Sequence, residues 1–393
     1  MQPDNSVRTI NTSGLHRSAT ELERRRSLGC HTTAAHLDWN SSNVRLGASA
    51  MYQYYDHQFR QGPSLYRQIY PEGYQFGAAS ADYSLRLGHL YVSGETARSF
   101  AAHKHDKETA NPSSGSGWAT LNKASLRLSP NSSISVVQRF YSRNYYSALA
   151  SAYGENGRVQ NESGLALLVD ADRLGPFDLR SFADFFYSPW PRYTMTKASR
   201  GVEAVAQATC NLSRTRRLVV RYGFKSKERS DRRYRTNRLR LTYAEDLTPR
   251  LALQASAMAA HVAVASLSQH TAGAALVPRV SYSTASQRLR CSLSAALFAT
   301  GLTAPEAYTS AAYDGRLYLY EPSLFQSFGL VSIYGKGERM AVSARWQPSP
   351  RWQLQAKCGV THHRDRDIIS AGLTLIKSPW KADLQLLARW LLR

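Results

Sequence analysis

The sequence predicts an all-β protein assembled from a long series of antiparallel hairpins. Three observations carry that prediction. Apolar and polar residues alternate with a period of two along most of the chain. Turn-forming residues interrupt the alternation at regular intervals, and 11% of the residues are aromatic, a composition that favours strands. A helix would need apolar residues three and four apart, and these runs do not supply them.

Taken in order, the alternation opens with Val44, Leu46, Ala48, Ala50, Tyr52 and Tyr54 on one face. Ala124, Leu126 and Leu128 then alternate with Lys123, Ser125 and Arg127. Leu218, Val220, Tyr222 and Phe224 alternate with Arg217, Val219, Arg221, Gly223 and Lys225, and Leu239, Leu241 and Tyr243 with Arg238, Arg240 and Thr242. Leu289, Cys291, Leu293, Ala295 and Leu297 interleave with Arg288, Arg290, Ser292 and Ser294. Met340, Val342, Ala344 and Trp346 follow against Arg339, Ser343 and Arg345, and Trp352, Leu354, Ala356, Cys358 and Val360 against Gln353, Gln355 and Lys357. The series closes with Ala382, Leu384, Leu386, Ala388 and Trp390 set against Asp383, Gln385 and Arg389.

Short turns are expected near 40–43, 88, 130–131, 175–176, 214–216, 248–249, 283–286, 348–350 and 378–379. Longer polar loops, rich in Tyr, Arg, Ser and Asn, are expected at 56–74, 100–117, 142–162, 187–200, 226–236, 299–337 and 361–367. Two strands of about ten residues per interval, with one more at each end, give about 18 strands, in a range of about 16–18.

An antiparallel sheet that wide accumulates twist and exposes edges, and closure removes the edges. A soluble barrel of that circumference would enclose water and gain nothing from an apolar interior. The arrangement that satisfies both faces is a large transmembrane β-barrel, apolar face to lipid and polar face to a wet lumen, with short periplasmic turns and long extracellular loops. Tyr222, Phe224, Trp346, Trp352 and Trp390 lie at strand ends, where interfacial girdles belong. A soluble β-sandwich or propeller is the competing fold.

The chain has 393 residues, 50 Lys plus Arg against 28 Asp plus Glu, and a formal net charge of +22. That balance excludes an acidic disordered chain and points to anionic partners. Of the basic residues 40 are Arg and 10 are Lys, and Arg pairs bidentately with carboxylate and phosphate. Cys30, Cys210, Cys291 and Cys358 stand far apart, without metal-ligand spacing, and leave the compartment and any disulfide open. Met1–Ile10 is polar and carries no secretory signal. The uncharged stretch Leu251–Pro278 is punctuated by Gln254, Ser256, His261, Ser266, Ser268, Gln269 and His270, so a strand, loop and strand are expected there rather than a spanning helix.

In a barrel, Lys123, Arg127, Arg217, Arg221, Lys225, Arg238, Arg240, Arg288, Arg290, Arg339, Arg345 and Lys357 would line the lumen and attract phosphate- or carboxylate-bearing solutes. The competing role for these cations is pairing with Asp82, Asp170, Asp178, Asp184 and Glu203 across strands. Lys227, Arg229, Arg232, Arg233 and Arg235, interleaved with Tyr234, form a second basic cluster, suited to lipopolysaccharide phosphates or nucleic acid, or simply a solvated loop. His103, His105 and Asp106, and His362, His363 and Asp365, hint at metal, but neighbouring residues on an extended chain point apart and adjacent cations oppose one. No nucleophile-elbow, P-loop or dinucleotide-binding pattern occurs, so neither enzyme nor cofactor is expected.

The words Gly154 through Gly164, Phe182-Ala183-Asp184-Phe185-Phe186, Ser188-Pro189-Trp190-Pro191-Arg192-Tyr193 and Ser199-Arg200-Gly201 resemble the C-terminal barrel of a family of Bacteroidota outer-membrane proteins. These proteins are named for helix-hairpin-helix repeats that precede the barrel. His16 through Leu22, Gly117 through Asn122 and Asp365-Arg366-Asp367 are similar to further family words in the same order. The resemblance implies the outer membrane of a Gram-negative cell and makes Glu155, Asn156, Arg158, Gln160, Asn161 and Glu162 a family loop motif. It also implies that a signal peptide and a helix-hairpin-helix part precede Met1, so that 1–30 is a polar loop or remnant of a truncated upstream region and 31–393 the barrel. Outer-membrane chains typically finish their last strand on an aromatic, whereas this chain ends Trp390-Leu391-Leu392-Arg393. The expected function is a pore, a transporter or an envelope structural component with an Arg-lined lumen favouring anionic solutes. Nucleic-acid binding or uptake is the alternative, with passive membership of an envelope assembly beside it. Outer-membrane lipid and lipopolysaccharide are the expected partners, with anionic solutes and nucleic acid as further candidates and no particular envelope protein indicated.

Overall fold

The computed structural model describes residues 6–10, 18–102, 115–265, 269–327, 329–370 and 372–391. The expected all-β class is what it shows. The strands are β1 (Cys30–Asn40), β2 (Val44–Phe59), β3 (Gly73–Leu87), β4 (Leu90–Ala102), β5 (Gly117–Ser129), β6 (Ser132–Tyr141), β7 (Glu162–Leu174), β8 (Phe177–Ser188), β9 (Ser199–Asn211) and β10 (Arg216–Arg229). They continue as β11 (Arg232–Thr248), β12 (Leu251–Val264), β13 (Gln269–Ser283), β14 (Leu289–Leu302), β15 (Leu317–Tyr320), β16 (Leu330–Ile333), β17 (Lys336–Ser349), β18 (Trp352–His363) and β19 (Trp380–Trp390). Helices α1 (Ala19–Glu23) and α2 (Ala311–Asp314) are single turns. All strands except β15 and β16 belong to one sheet of 17 strands, within the expected range, and no described helix is long and apolar enough to cross a membrane.

The chain divides into two compact units. In the first (1–170, 182–203 and 227–231), β1 through β6 pair antiparallel in sequence order. Leu46, Tyr52, Leu126 and Phe140 stand exposed on one face. The opposite face carries tight clusters: Tyr55, Phe59 and Phe76 meet edge to face with Val7, and Ala97, Ala119, Tyr141 and Tyr145 pack together. Val7 is tied to the end of β2 by Val7 N–H to Gln58 O at 2.9 Å and Arg60 N–H to Val7 O at 3.1 Å. Within the expected polar stretch 1–30, Ser18 and Glu21 form a reciprocal capping box that starts α1.

In the second unit (171–181, 204–226 and 232–393), β11–β12–β13–β14–β17–β18–β19 pair in that order. Leu276, Leu293, Met340, Val342, Leu384 and Leu386 share one exposed face, where Leu386 is 72% exposed. The connection between β14 and β17, inside the loop expected at 299–337, folds onto the other face. There it forms α2 and the β15–β16 hairpin, and Leu317, Leu319 and Ile333 bury against Met258, Ala260, Ala275, Ala296 and Phe298.

Two loop expectations are corrected. The segment 226–236 is no long loop: β10 and β11 are joined at Ser230 and Asp231 alone, both with positive φ (50° and 56°), the mirror-type turn that matches strand twist. Asp231 braces it by accepting from Thr196 N–H at 3.0 Å and Thr196 Oγ1 at 2.8 Å. The expected loop at 361–367 and turn at 378–379 are one connection between β18 and β19, pinched by an Ile369–Ile376 bridge and holding a 3-10 turn at Gly372–Thr374. Among the described residues no strand of the sheet forms between them, so the hairpin series there comes to 17 strands, against the expected number of about 18. The stretch Leu251–Pro278 is β12 followed by the greater part of β13, paired from Val264–Gln269 outward.

Candidate functional site

Register decides which side chains share the polar face. Arg238 lies opposite Ala260 and Arg240 opposite Met258, on the side of the buried Ser256 and Val262. Lys357 lies opposite Ser343, Arg339 opposite Thr361, and Arg290 directly opposite Arg345. On β10 the alternation places Arg217, Arg221 and Lys225 together, with Arg221 donating to Gln207 at 3.2 Å. In the first unit Lys123 and Arg127 lie opposite Val137 and Ser133. Arg288 is a correction: it sits in the turn between β13 and β14, outside any strand, because Leu289 begins the strand.

The folded loop makes this face a site. Glu321, carried past the end of β15, accepts from Arg339 Nε at 2.6 Å and Nη2 at 3.0 Å and from Lys357 Nζ at 2.8 Å. All three residues are buried, at 9%, 3% and 3% exposure. Burial pushes the Glu321 carboxyl up, but the hydrogen bonds from Arg339 and Lys357 outweigh it and hold the group below its ordinary value. Arg339 reaches Asp383 as well, through Nη1 at 2.8 Å and Nη2 at 3.2 Å. Tyr320 sits between cations: the Arg240 guanidinium lies 4.8 Å from its ring centre, and Arg279 Nη2 donates to its carbonyl. Arg238 lies 5.6 Å from the Tyr318 ring and Arg389 4.3 Å from the Phe325 ring. Around the loop, Arg238, Arg240, Arg279, Arg339, Lys357 and Arg389 thus face two carboxylates, Glu321 and Asp383. The arrangement leaves an excess of positive charge that attracts anions.

Beside the loop lies a cavity of about 1010 Å3, lined by Pro322, Leu324 and Phe325 above and by Arg250, Arg290, Arg345, Gln353, Gln355 and Arg389 around it.

Sequence reasoning missed Arg139, Arg279, Glu321, Asp383 and Arg389 as site residues. Arg279 and Arg389 follow the same two-residue alternation as the cations that were singled out, so period alone could have found them. Nothing in period points to Glu321, which lies in irregular chain.

In the first unit the loop segment from Glu155 to Glu162 is a closed hydrogen-bonded lock. Glu162 accepts from the backbone N–H of Glu155 and Asn156 at 2.9 and 3.0 Å and from Asn156 Nδ2 at 2.7 Å, while Arg139 Nε donates to it at 2.7 Å. Arg139 makes a bidentate pair with Asp184 at 2.7 and 3.0 Å. Arg139, Glu162 and Asp184 are 1%, 1% and 4% exposed. Gln160 Nε2 donates to the carbonyls of Ile69 and Arg143, and Asn161 brackets Trp190 with two hydrogen bonds of 2.9 Å. Arg158 stacks at 4.1 Å over Tyr70. The residues of this motif are therefore placed to hold a loop.

The second basic cluster does not converge. Lys227 is paired with Glu155 at 3.1 Å, Arg233 donates to Ser226 at 3.4 Å, and Arg229, Arg232 and Arg235 are exposed on successive parts of a hairpin. His362 and His363 point to opposite faces, His362 to Glu338 at 2.8 Å and Trp380, His363 to Phe298 and Tyr334. His103, His105 and Asp106 lie outside the described residues. Among the described residues no group of metal-binding side chains gathers. Of the acids expected to neutralise the polar face, Asp184 pairs with Arg139 and Asp82 with Arg45 at 3.4 Å, and Asp178 accepts from the Arg173 N–H and from Asn211 instead.

No family model matches the chain, and no curated protein matches it. Solved structures similar to it include an anion-selective porin from Comamonas acidovorans, with 9% identity and a TM-score of 0.42 over 92% of this chain and 99% of that one. The FrpB iron transporter from Neisseria meningitidis has 9% identity and a TM-score of 0.46 over 92% of this chain, which spans 64% of the transporter. The outer-membrane protein OmpT of Vibrio cholerae has 8% identity and a TM-score of 0.40, over 90% of this chain and 99% of that one.

Proposed function

We propose that the chain is an integral outer-membrane β-barrel whose polar face lines a water-filled passage for anionic solutes, narrowed by the loop between β14 and β17. One observation supports this most: the apolar side chains of strand after strand, Leu46, Leu126, Leu276, Leu293, Met340, Val342, Leu384 and Leu386 among them, stand exposed, while the opposite faces carry the buried and charged residues. A soluble fold would bury that surface, because apolar patches beyond a few hundred Å² are rare on soluble monomers. Hydrocarbon around the sheet satisfies it. Exposed aromatics at strand ends, Trp39, Trp346 and Trp352 beside short turns with Trp390 stacked on Trp352, and Phe100, Trp118 and Trp380 beside long loops, suit the two interfacial girdles.

Given that orientation, the excess of guanidinium around Glu321 raises the local concentration of anions and repels cations. The reading is tested by reconstituting the protein in planar bilayers. Anion-selective conductance is expected; cation selectivity, or no conductance from the wild type and from a variant with the loop released, contradicts it.

A further inference from the structure

The cavity beside the loop holds four guanidinium groups against a single carboxylate, that of Asp246. Among the described residues Arg250, Arg290, Arg345 and Arg389 make no ion pair, and Asp246, the single acidic residue of the lining, makes none with them. The polar partners they do have are neutral. Arg290 Nη2 donates to Gln287 at 2.9 Å, Arg345 faces the Gln353 amide, whose oxygen accepts from Nε and Nη2 once the amide is turned, and Arg389 stacks on Phe325.

A second observation is independent of the cavity. Arg290 and Arg345 are directly opposed across β14 and β17 on the same face. Like charges in that position destabilise a sheet, because the side chains leave the backbone about 5 Å apart. The other polar-face pairs of this region set a cation against a neutral residue, as Lys357 against Ser343 and Arg389 against Gln353. A chain that opposes two cations, opens a cavity over them and pairs no carboxylate with either leaves room for an anion as the missing partner.

We propose that this cavity binds a small multivalent anion, a solute bearing at least two phosphate or carboxylate groups. One group lies in the fork between Arg290 and Arg345, and a second toward Arg389 at the far side, with Leu324 and Phe325 covering the solute from the loop. A single charge cannot satisfy four separated cations, which is why the site favours a multivalent ligand. The proposal rests on the passage reading only for the route by which the solute arrives; binding itself needs neither bilayer nor flow.

The test is calorimetric titration of the full chain folded in neutral detergent, with pyrophosphate, citrate and acetate at equal ionic strength. Pyrophosphate or citrate is expected to bind at least tenfold more tightly than acetate, and whichever is tighter assigns the site to phosphate or to carboxylate groups. The double variant Arg290→Gln, Arg345→Gln is expected to lose at least tenfold in that affinity, and Arg351→Gln, in the turn between β17 and β18 and outside the cavity lining, to lose nothing. Thermal unfolding guards against a folding defect: without anion the double variant melts no lower than wild type, and pyrophosphate raises the melting point of wild type alone. Equal, weak binding of all three anions, or undiminished binding by the double variant, overturns the proposal. Binding without conductance would remove the passage and leave the cavity standing; anion conductance without binding would do the reverse.

Discussion

Replacing Glu321 with Gln isolates what holds the loop on the polar face. The carboxylate is shared between Arg339 and Lys357 at 2.6 to 3.0 Å, all three residues being buried. Removing one partner of a buried ion pair costs about 3–5 kcal/mol, because the remaining charge loses its compensation. Arg339 keeps Asp383 at 2.8 Å, so Lys357 alone is stranded, and the cost falls at the lower end, about 3 kcal/mol. At about 1.4 kcal/mol per factor of ten, the population with the loop detached rises about 100-fold. Limited proteolysis reads this directly, since Arg316 immediately precedes the β15–β16 hairpin and is expected to be cleaved by trypsin only when the loop leaves the sheet. When opening is fast relative to cleavage, the rate follows the open population, so E321Q is expected to be cut about 100-fold faster at Arg316 with its strand content unchanged. A cleavage rate within about twofold of wild type would refute the reasoning, because it would mean that apolar contacts hold the loop without the ion pair.

Further expectations follow from the same geometry. The Glu321 carboxyl is held below its ordinary value of 4.5, so its contribution to loop docking is fully present above 4.5 and is lost as the pH falls through the lowered value. Conductance is therefore expected to stay constant through neutral and mildly acid solution and to rise only below pH 4.5, whereas a rise near neutrality would contradict the assignment. Gly164 leaves space for the Arg139 guanidinium, and an added Cβ would sit 2.3 Å from Arg139 Cζ. Gly164→Ala is expected to cost about 1–3 kcal/mol through overpacking at the buried triad, measurable as a lowered midpoint in urea. Leu386→Arg is expected to cost about 2–4 kcal/mol for folding into lipid vesicles, as a cation in hydrocarbon must, and a change under about 0.5 kcal/mol would argue that this face meets water.

Much of the fold is written in period and punctuation, and the parts that are not have identifiable causes. The runs through Leu239, Leu289 and Met340 read as strands because one face meets a medium unlike the other, and no tertiary partner is needed to see it. The connection at Ser230 and Asp231 escaped because cations on both sides look like a solvated loop, while the actual signal, two residues tolerating positive φ, is weak for a Ser-Asp pair. The stretch 368–377 reads as a strand by spacing yet pairs only through Ile369 and Ile376.

The site was legible by half. Arg238, Arg240, Arg339, Arg345 and Lys357 share the polar face by alternation alone. The acid that organises them was not, because Glu321 acquires its partners only when Leu317 and Leu319 dock on the sheet. The segment from Glu155 to Glu162 stands out in the sequence as a loop motif, but its role depends on Arg139, far away in sequence, around which Glu162 and Asp184 close.

The central claim is that the apolar face meets hydrocarbon, and β17 offers the most direct measurement. In a background with the native cysteines replaced, single cysteines at Met340, Ala341, Val342 and Ser343 carry an environment-sensitive fluorophore in vesicles containing brominated acyl chains. Strong quenching at 340 and 342 with little at 341 and 343 is the predicted result. Equal quenching at all four positions, or none at any, would contradict the account.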